Sequence, residues 1–202
     1  MALSVTASVA PPLELVVHHR YRDGTAHDLS GHANDGHRLA VAEGGHSDDD
    51  ATRFDGRSTR VVVLPSPSLD RLGAVRVRAR ILVEELGDRR TIVEGYLAFA
   101  FAVEADGALT AGVLSHFRWR TVTSPPGAVP LNQWVDVAFA YDGRDTALLT
   151  VGTTVVGTSY VPLGPVAGVQ WPYGLNVGAW PDGDLRVFKG NIAEVWLWRL
   201  AT

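Results

Sequence analysis

Polar and apolar residues alternate with a period of two in many short segments of this chain. Residues 75–81 are the clearest example, because four apolar residues there alternate with three arginines. Successive side chains of a β-strand point to opposite sides of its sheet, so this pattern predicts a strand with one buried face and one basic face. The basic residues are Arg76, Arg78 and Arg80.

Similar segments follow one another along the chain, separated by turn sequences such as Asp106-Gly107 and Asp142-Gly143. No segment keeps the period of a helix over three turns. Roughly a dozen short strands around one core predict an all-β fold, a two-sheet antiparallel jelly-roll sandwich. The predicted strands are residues 60–64, 75–81, 97–103, 109–113, 113–122, 134–141, 147–151, 154–158, 175–178 and 192–198.

Length and composition agree with one globular core. The chain has 202 residues, of which 46% are hydrophobic and 20% are charged. β-Sandwiches of this length commonly form one domain. We expect residues 1–12 to be a loose lead-in and residues 13–202 to form a single domain.

Charge and cysteine content narrow the classes of partner. The formal net charge is −4 at pH 7, which argues against a nucleic-acid partner, and there is no cysteine for a disulfide or a thiolate zinc site. No segment approaches the roughly 18 apolar residues that span a membrane, and the first ten residues lack the features of a secretory signal. We expect no membrane partner, and a cytoplasmic location unless the domain is excised from a longer exported protein.

Several motifs occur in a characteristic order. Residues 28–36 read Asp-Leu-Ser-Gly-His-Ala-Asn-Asp-Gly, and residues 53–56 read Arg-Phe-Asp-Gly. Residues 132–143 and the ending at 190–198 carry two further motifs, Asn-x-Trp-x-x-Val-Ala-x-x-Tyr-Asp-Gly and Gly-x-Ile-x-Glu-Val-x-x-Trp. Together they resemble the laminin-G-like jelly-roll domains of the concanavalin-A-like lectin and glucanase superfamily, over about residues 13–200.

The resemblance implies the jelly-roll fold and a set of roles. These are glycan binding, adhesion, protein interaction, or service as an ancillary domain beside an enzyme. It also implies that Trp134 and Trp198, which match family positions, pack in the core. A fold does not by itself decide function.

Glycanases of this superfamily carry alternating carboxylates on one strand, because retaining hydrolysis needs two carboxyl groups on one face about 5 Å apart. This chain has no such strand. Glu84 and Glu85 are adjacent and point to opposite faces, and Glu104 and Asp106 fall at a hairpin turn. We therefore expect no enzymatic activity.

A structural calcium ion is common in these folds, with ligands from the early loop and the last strand. The candidate ligands are Asp28, Asp35 and Glu194. The family usually has an aspartate just before the Glu-Val of the last strand, and Ala193 occupies that position here. The other interpretation is that Asp28 closes a turn by accepting hydrogen bonds from backbone amides.

Two groups of basic residues are candidates for ligand binding: the arginines of 75–81, and a second group in the predicted strand 113–122. If the apolar faces pack inward, both groups face outward, where guanidinium groups bind carboxylate, sulfate or phosphate. Asp136 also falls on the outward side of its strand, so the alternative is a polar face neutralised by the protein's own acids, Glu84 and Glu94 among them. The second group is His116, Arg118 and Arg120, opposite Phe117 and Trp119.

Trp171, Tyr173 and Trp180 lie in Pro- and Gly-rich segments, where core packing is less expected to use them. Sugar rings stack on flat aromatic side chains, so these three residues are candidates for a glycan site. The alternative is that they pack as hydrophobic plugs.

The leading hypothesis is a non-catalytic, lectin-like binding module. Its groove would combine the basic faces with the loop aromatics and prefer a carbohydrate with anionic groups. The alternative hypothesis is a protein-interaction or assembly domain, with a protein partner or a homo-oligomer, accessory to a larger protein.

Overall fold

The computed structural model of the protein describes residues 12–21, 24–39, 51–181 and 185–201. These residues contain fourteen β-strands and no α-helix, so this part of the chain has no helix long and apolar enough to cross a lipid bilayer. The strands are β1 (Leu13–Arg20), β2 (Gly36–Leu39), β3 (Thr52–Asp55), β4 (Arg60–Val63), β5 (Val75–Val83), β6 (Arg90–Gly95), β7 (Phe99–Val103), β8 (Leu109–Ser115), β9 (Arg118–Thr123), β10 (Trp134–Tyr141), β11 (Thr146–Val151), β12 (Thr154–Tyr160), β13 (Leu175–Val177) and β14 (Lys189–Leu200).

The strands form two sheets, each of seven strands within the described ranges. The first sheet has the order β1-β14-β5-β10-β11-β12, and β3 also pairs with β14. The second sheet has the order β2-β4-β13-β6-β7-β8-β9. All of these strand pairs are antiparallel. The prediction of an all-β, two-sheet antiparallel sandwich is confirmed.

The core lies between the two sheets. On β5 the four predicted apolar residues are buried, and the three arginines between them are exposed. Phe101 of the second sheet stacks on Phe139 of the first, with ring centroids 6.3 Å apart. The alternation predicted for residues 75–81 is therefore confirmed, and it sets which side of the first sheet is basic.

The sequence pattern does not reveal every strand. It misses β1, β2, β3 and β6, and β6 has no alternation to detect because all six of its residues are buried. The prediction of one strand over residues 113–122 is wrong, since β8 ends at Ser115 and β9 begins at Arg118. His116 and Phe117 form the turn with φ angles of 49° and 60°. Residues other than glycine seldom adopt this left-handed conformation, so the sequence carries no turn signal.

The two ends of the described chain meet in the first sheet. The predicted lead-in, residues 1–12, lies outside the described residues except for Pro12. β1 follows at once and pairs with β14, so that Leu13 lies opposite Leu200. Val16 and Leu197 from these strands belong to the same buried cluster as the side chains between the sheets.

Residues 28–36 form a loop that the Asp28 carboxylate holds against β1. The carboxylate accepts hydrogen bonds from the backbone N–H groups of His18, Ser30 and Asn34 and from the Ser30 hydroxyl, at 2.7–3.0 Å. Burial raises the pKa of Asp28, but these hydrogen bonds together bring it below its ordinary value. Asp28 thus has the turn-closing role that was one of its two interpretations.

Asn34 ties the same loop to a second segment. Its side-chain amide donates to the Val16 carbonyl oxygen at 2.6 Å and to the Ser68 hydroxyl at 2.8 Å. Its side-chain oxygen accepts a hydrogen bond from the Ser66 hydroxyl at 2.6 Å. Asn34 is buried, so each of these bonds replaces a bond to water that folding removes.

Asp28→Asn should lower the free energy of unfolding by about 1–3 kcal/mol at pH 7, because an amide nitrogen then faces backbone donors. The folded pKa of Asp28 lies below its unfolded value, so the wild type loses this stabilisation as the pH falls through the folded pKa, and the variant has none to lose. Urea denaturation between pH 2 and pH 7 measures both effects. Asp70→Asn, at an exposed carboxylate, is the control, and an equal loss in both variants would contradict the role given to Asp28.

Candidate binding groove

A row of small side chains crosses the outer face of the second sheet. Ala100 on β7 lies opposite Gly112 on β8, and Gly112 lies opposite Thr121 on β9. Directly paired residues share one side of a sheet, and the adjacent Phe101 faces the core, so this row faces outward. Its small side chains leave a depression in the sheet surface.

Two tryptophans and two arginines surround this depression. Trp119 is on β9, Arg89 precedes β6, and Trp180 and Arg186 lie in the segment between β13 and β14. With the row of small residues they line a groove of about 210 Å³, which we call the aromatic groove.

Gly112 keeps the floor of the aromatic groove open. A Cβ atom at this position would lie 3.0 Å from the Arg120 carbonyl oxygen and 3.3 Å from Cε3 of Trp119. These contacts are tighter than ordinary van der Waals packing, so a side chain at this position would require its neighbours on β9 to shift. The glycine is explained by the close approach of its neighbours.

The two arginines are held in different ways. The Arg186 guanidinium lies over the Trp180 ring, 4.3 Å from its centroid, in cation–π geometry. Nη1 of Arg89 lies 3.4 Å from Oε1 of Glu104, and both side chains are roughly one-third exposed. Water screens such an ion pair, so Arg89 can exchange Glu104 for an anionic ligand at little cost.

Glu94 lies beside the floor of the aromatic groove, in register with Ala100. It is only 3% exposed. Burial raises the pKa of Glu94 to about 8, although Arg89 and Arg186 act in the opposite direction. The carboxyl group is therefore mostly protonated at neutral pH, and it does not neutralise the two arginines.

The basic residues predicted from the sequence lie on two different sheets. Arg76, Arg78 and Arg80 project from β5 in the first sheet, whereas Arg118 and Arg120 lie on β9 in the second. The expectation of one groove that combines both groups is therefore wrong. Alternation shows which side of a strand a residue occupies, but not the sheet to which the strand belongs.

The second basic group is also oriented differently from the expectation. His116 lies in the turn before β9, and Phe117 beside it is fully exposed. Arg120 lies opposite Val113, a core residue, so it points to the inner side of β9. This side is exposed because β9 is the edge strand, and Trp119 instead faces outward into the aromatic groove.

On the first sheet, each arginine of β5 lies over a tryptophan ring. The distances from guanidinium carbon to ring centroid are 5.5 Å for Arg76 and Trp198, 4.8 Å for Arg78 and Trp196, and 5.7 Å for Arg80 and Trp134. Asp136 lies beside these arginine–tryptophan pairs. Its carboxylate oxygens are 3.2 Å from Nη2 of Arg78 and 3.9 Å from Nη1 of Arg80. Glu84 pairs with Arg53 instead, and Glu94 lies on the other sheet.

Trp134 and Trp198 face outward, so the expectation that they pack in the core is wrong. For Trp198 the cause is a β-bulge at Ala193, where the register of β14 against β5 shifts by one residue. The shift reverses the inward and outward sides of the following residues, so Leu197 enters the core and Trp198 leaves it.

The three loop aromatics do not come together. Trp180 lines the aromatic groove. Trp171 is 71% exposed, and Tyr173 packs edge-on against Tyr96 with ring centroids 4.8 Å apart. Of the aromatic candidates, only Trp180 therefore joins Trp119 around the groove.

The calcium candidates Asp28, Asp35 and Glu194 do not form one set of ligands. Asp28 is occupied by the hydrogen bonds described above, and Asp35 accepts its backbone N–H at 2.7 Å. Glu194 lies 2.7 Å from the His18 ring and 3.1 Å from Arg20. Within the described ranges, no three His, Asp or Glu side chains are arranged to hold a metal ion. Calcium takes six to eight oxygen ligands, and this arrangement does not fit it.

The sequence did not identify Arg89 or Arg186 as site residues. It also did not predict that Glu94 is buried beside the floor of the aromatic groove. Arg89 and Arg186 lie outside the strands, where no periodic pattern marks them. Glu94 does carry a signal, because it is the only charged residue in the segment Thr-Ile-Val-Glu-Gly at 91–95. A carboxylate in such an apolar strand is rarely buried without a reason.

Residues 55–202 match the family model for the concanavalin A-like lectin/glucanases superfamily. The chain belongs to this superfamily. The resemblance carried by the sequence motifs is therefore confirmed. Among curated protein sequences, none matches the chain.

Solved structures with the same fold include several binding domains. The binding domain of Paraclostridial Mosquitocidal Protein 1 aligns with a TM-score of 0.74 and 12% identity. The alignment covers 94% of this chain and 49% of that one, so this chain spans about half of its length. Domain 4 of AbnA, a GH43 extracellular arabinanase from Geobacillus stearothermophilus, aligns with a TM-score of 0.65 and 17% identity over 94% of both chains. The CBM40 of Ruminococcus gnavus IT-sialidase aligns with a TM-score of 0.60 and 12% identity over 76% of this chain and 91% of that one. At these identities the likeness shows the fold alone.

Glu94→Gln should change how the stability of this superfamily member depends on pH. The folded pKa of about 8 lies above the ordinary value of 4.5, so the wild type loses stability as the pH rises from about 4.5 to 8 and no further above that range. The variant cannot ionise. We therefore compare the free energy of unfolding of the variant with that of the wild type at two pH values. We expect this difference to shift in favour of the variant by up to a few kcal/mol between pH 4 and pH 8. Thermal unfolding across this range measures the gain, with Asp70→Asn as the control, and parallel curves for wild type and Glu94→Gln would rule the effect out.

Proposed function

We propose that this chain is a non-catalytic, lectin-like module that binds a carbohydrate with an anionic group in the aromatic groove. The observation that carries the proposal is the lining of that groove. Two tryptophans and two arginines surround a floor made of Ala100, Gly112 and Thr121.

The aromatic and small residues fit a sugar ring. Trp119 is 40% exposed although it lies in a strand, so its ring is accessible to a ligand. Flat aromatic rings bind the C–H faces of sugars, while the shallow floor leaves room for the ring itself. Thr121 is exposed at the same floor, and a threonine hydroxyl can donate to or accept from a sugar hydroxyl.

The charges fit an acidic sugar better than a neutral one. Arg89 and Arg186 both line the aromatic groove, and the protonated Glu94 adds no negative charge beside them at neutral pH. Guanidinium groups bind carboxylates through paired, charge-assisted hydrogen bonds. Arg89 already lies at ion-pair distance from one carboxylate, that of Glu104.

Two of the structural neighbours bind oligosaccharides. Domain 4 of AbnA is in complex with arabinotriose, and the sialidase CBM40 is bound to α2,3-sialyllactose. They support a glycan as the ligand class, and the sialylated ligand of the CBM40 is an acidic glycan. They do not select the sugar for this chain.

The chemistry of the groove supports binding without hydrolysis. No carboxylate is among the described residues that line the aromatic groove. Hydrolysis with retention needs two carboxyl groups about 5 Å apart on either side of the bond. Glu94 is buried and mostly protonated, and Glu104 forms an ion pair with Arg89, so neither is placed as a free nucleophile.

A glycan array that includes uronic and sialic acids tests the proposal, followed by calorimetry on the sugars that bind. Trp180→Ala and Arg89→Ala should each weaken binding of an acidic glycan about 5- to 100-fold, through loss of a stacking surface or of a charge-assisted hydrogen bond worth roughly 1–3 kcal/mol. The matched controls are Trp171→Ala and Arg118→Ala, which remove the same side chains outside the aromatic groove. Binding of no saccharide at millimolar concentration, or equal losses in variants and controls, would remove the proposal.

Binding of the acidic glycan should also weaken as the pH rises through 8. Glu94 then becomes negatively charged beside the ligand and attracts Arg89 and Arg186. Calorimetric titrations between pH 6 and pH 9 on the wild type and Glu94→Gln measure this effect. We expect the wild type to lose affinity over this range and the variant to retain it.

A further inference from the structure

Four turns at one end of the second sheet each expose a large apolar side chain. One turn follows β4, one precedes β13, one joins β6 to β7 and one joins β8 to β9. Strand pairing places them side by side, because Leu175 at the start of β13 lies opposite both Val63 of β4 and Gly95 of β6. Phe99 at the start of β7 lies opposite Val113 of β8 in the same way. The exposed residues are Leu64, Leu97, Phe117 and Trp171, and we call them the apolar rim.

Backbone hydrogen bonds between neighbouring turns hold the apolar rim in place. Tyr96 donates its N–H to the Gly174 carbonyl oxygen at 3.0 Å, and its own carbonyl oxygen accepts the N–H of Gln170 at 3.0 Å. Leu114 donates its N–H to the Ala98 carbonyl oxygen at 2.8 Å. Adjacent strands are about 4.8 Å apart, so the rim extends roughly 20 Å across the sheet. One hydrogen-bonded framework therefore presents all four side chains.

Two residues of the apolar rim occupy backbone positions that suit glycine or asparagine. The φ angles of Leu97 and Phe117 are 58° and 60°. A bulky residue in this left-handed region has a conformational cost, and two-residue hairpin turns usually place Asn-Gly there. Phe117 is also 100% exposed, so the fold gains no packing from its ring. Such a cost without a benefit to the fold indicates a contact outside the chain.

The turns of the apolar rim contain no acidic residue. Residues 64–69, 96–98, 116–117 and 161–174 have neither Asp nor Glu. Arg118 follows Phe117 directly, is exposed, and forms no ion pair with a carboxylate of the described residues. Its guanidinium can therefore bind a phosphate group beside the rim without first losing a partner.

The acidic residues at this end of the sandwich lie around the apolar rim and not within it. Two are in the turn between β10 and β11 of the first sheet, and the others lie near the starts of β1 and β2 or in the segment that leads to β5. Arginines accompany them, so the charges of this end are nearly balanced. Binding here therefore depends on apolar surface and on the local contact of Arg118. The acids are Glu14, Asp35, Asp70, Asp142 and Asp145, and the arginines are Arg71, Arg118, Arg144 and Arg199.

A phospholipid bilayer fits these features better than a folded protein or a sugar. The four apolar residues stand on separate turns, so a rigid partner would need a matching pocket for each, whereas lipid chains adapt to every one. Aromatic side chains concentrate at the boundary between lipid headgroups and acyl chains. Every phospholipid also carries a phosphate group, which Arg118 can reach while the adjacent Phe117 enters the apolar layer. A sugar would need a concave site.

We propose that the apolar rim docks this chain on the surface of a phospholipid bilayer. Phe117, Leu97 and Trp171 enter the boundary between headgroups and acyl chains, and Arg118 binds a lipid phosphate. Transfer of the apolar side chains out of water supplies most of the binding free energy, so the lipid needs no net charge. The sequence gave no reason to expect a membrane partner because it has no segment that spans a bilayer, but a contact made by turns needs no such segment.

Cosedimentation of the whole chain with phosphatidylcholine vesicles tests this inference. We expect the chain to bind these vesicles at millimolar lipid. Phe117→Ser should lower the partition coefficient about tenfold and Leu97→Ser about fivefold, because each variant removes apolar surface that enters the bilayer. Arg118→Gln should lower it about two- to threefold, through loss of the phosphate contact.

Quenching by lipid shows which part of the chain enters the bilayer. Phosphatidylcholine with bromine atoms on its acyl chains quenches the fluorescence of tryptophans that reach the apolar layer. The wild type should lose fluorescence on these vesicles, and Trp171→Phe should retain most of its own. The other five tryptophans lie away from the apolar rim, so they serve as the internal reference.

Leu131→Ser is the matched control for Leu97→Ser. Leu131 is exposed to a similar extent but precedes β10, at the opposite end of the sandwich. The control should change the partition coefficient less than about twofold, since Leu131 does not reach the bilayer. Thermal unfolding of each variant shows that it remains folded.

Three outcomes would overturn the inference. The first is no binding of the wild type to the vesicles at millimolar lipid. The second is an equal loss of binding in Leu131→Ser and in the variants of the apolar rim. The third is a homo-oligomer, detected by analytical ultracentrifugation, that Phe117→Ser disperses while vesicle binding is unchanged, since the rim would then contact protein. The vesicles contain no saccharide, so none of these outcomes depends on whether the aromatic groove binds a glycan.

Discussion

The packing of the two apolar sheet faces against each other is the constraint on which the rest of the structure depends. Phe101 meets Phe139 across the interface, and the apolar side of β5 is fully buried there. Because side chains alternate along every strand, this burial also decides which residues face outward. The outer faces therefore consist of the residues that alternate with the buried ones. The hydrogen bonds between strands that align the core residues also align these outward residues.

The two outer faces both contain tryptophan and arginine, but in different surroundings. On the first sheet, guanidinium groups lie over the tryptophan rings and form a ladder beside a floor of alanines. On the second sheet, Arg186 lies over the Trp180 ring, and Trp119 is partly exposed at the edge of a floor that Gly112 keeps low. One face thus offers charge and aliphatic surface, and the other offers aromatic surface with charge at its rim.

Two local features bear on the calcium ligands that the resemblance suggests. The Asp28 carboxylate accepts four hydrogen bonds from His18, Ser30 and Asn34, which hold the loop against β1. Ala193, at the position where the family usually has an aspartate, lies in the β-bulge of the last strand. The bulge reverses the sides of the residues after it and brings Trp198 to the surface. Ala193 therefore occupies both the position of the family's usual aspartate and the bulge that determines which residues of β14 face outward.

The sequence by itself determined the fold class, the family and the outward direction of the arginines on β5, because these follow from a period of two and from motifs a few residues long. Only the tertiary structure decided which strands are neighbours. Strand pairing joins residues far apart in the chain, so it alone places Arg118 on a different sheet from Arg78 and brings Trp119 beside Trp180. It also decided the burial of Glu94, since a single charged residue in a strand does not show what will cover it.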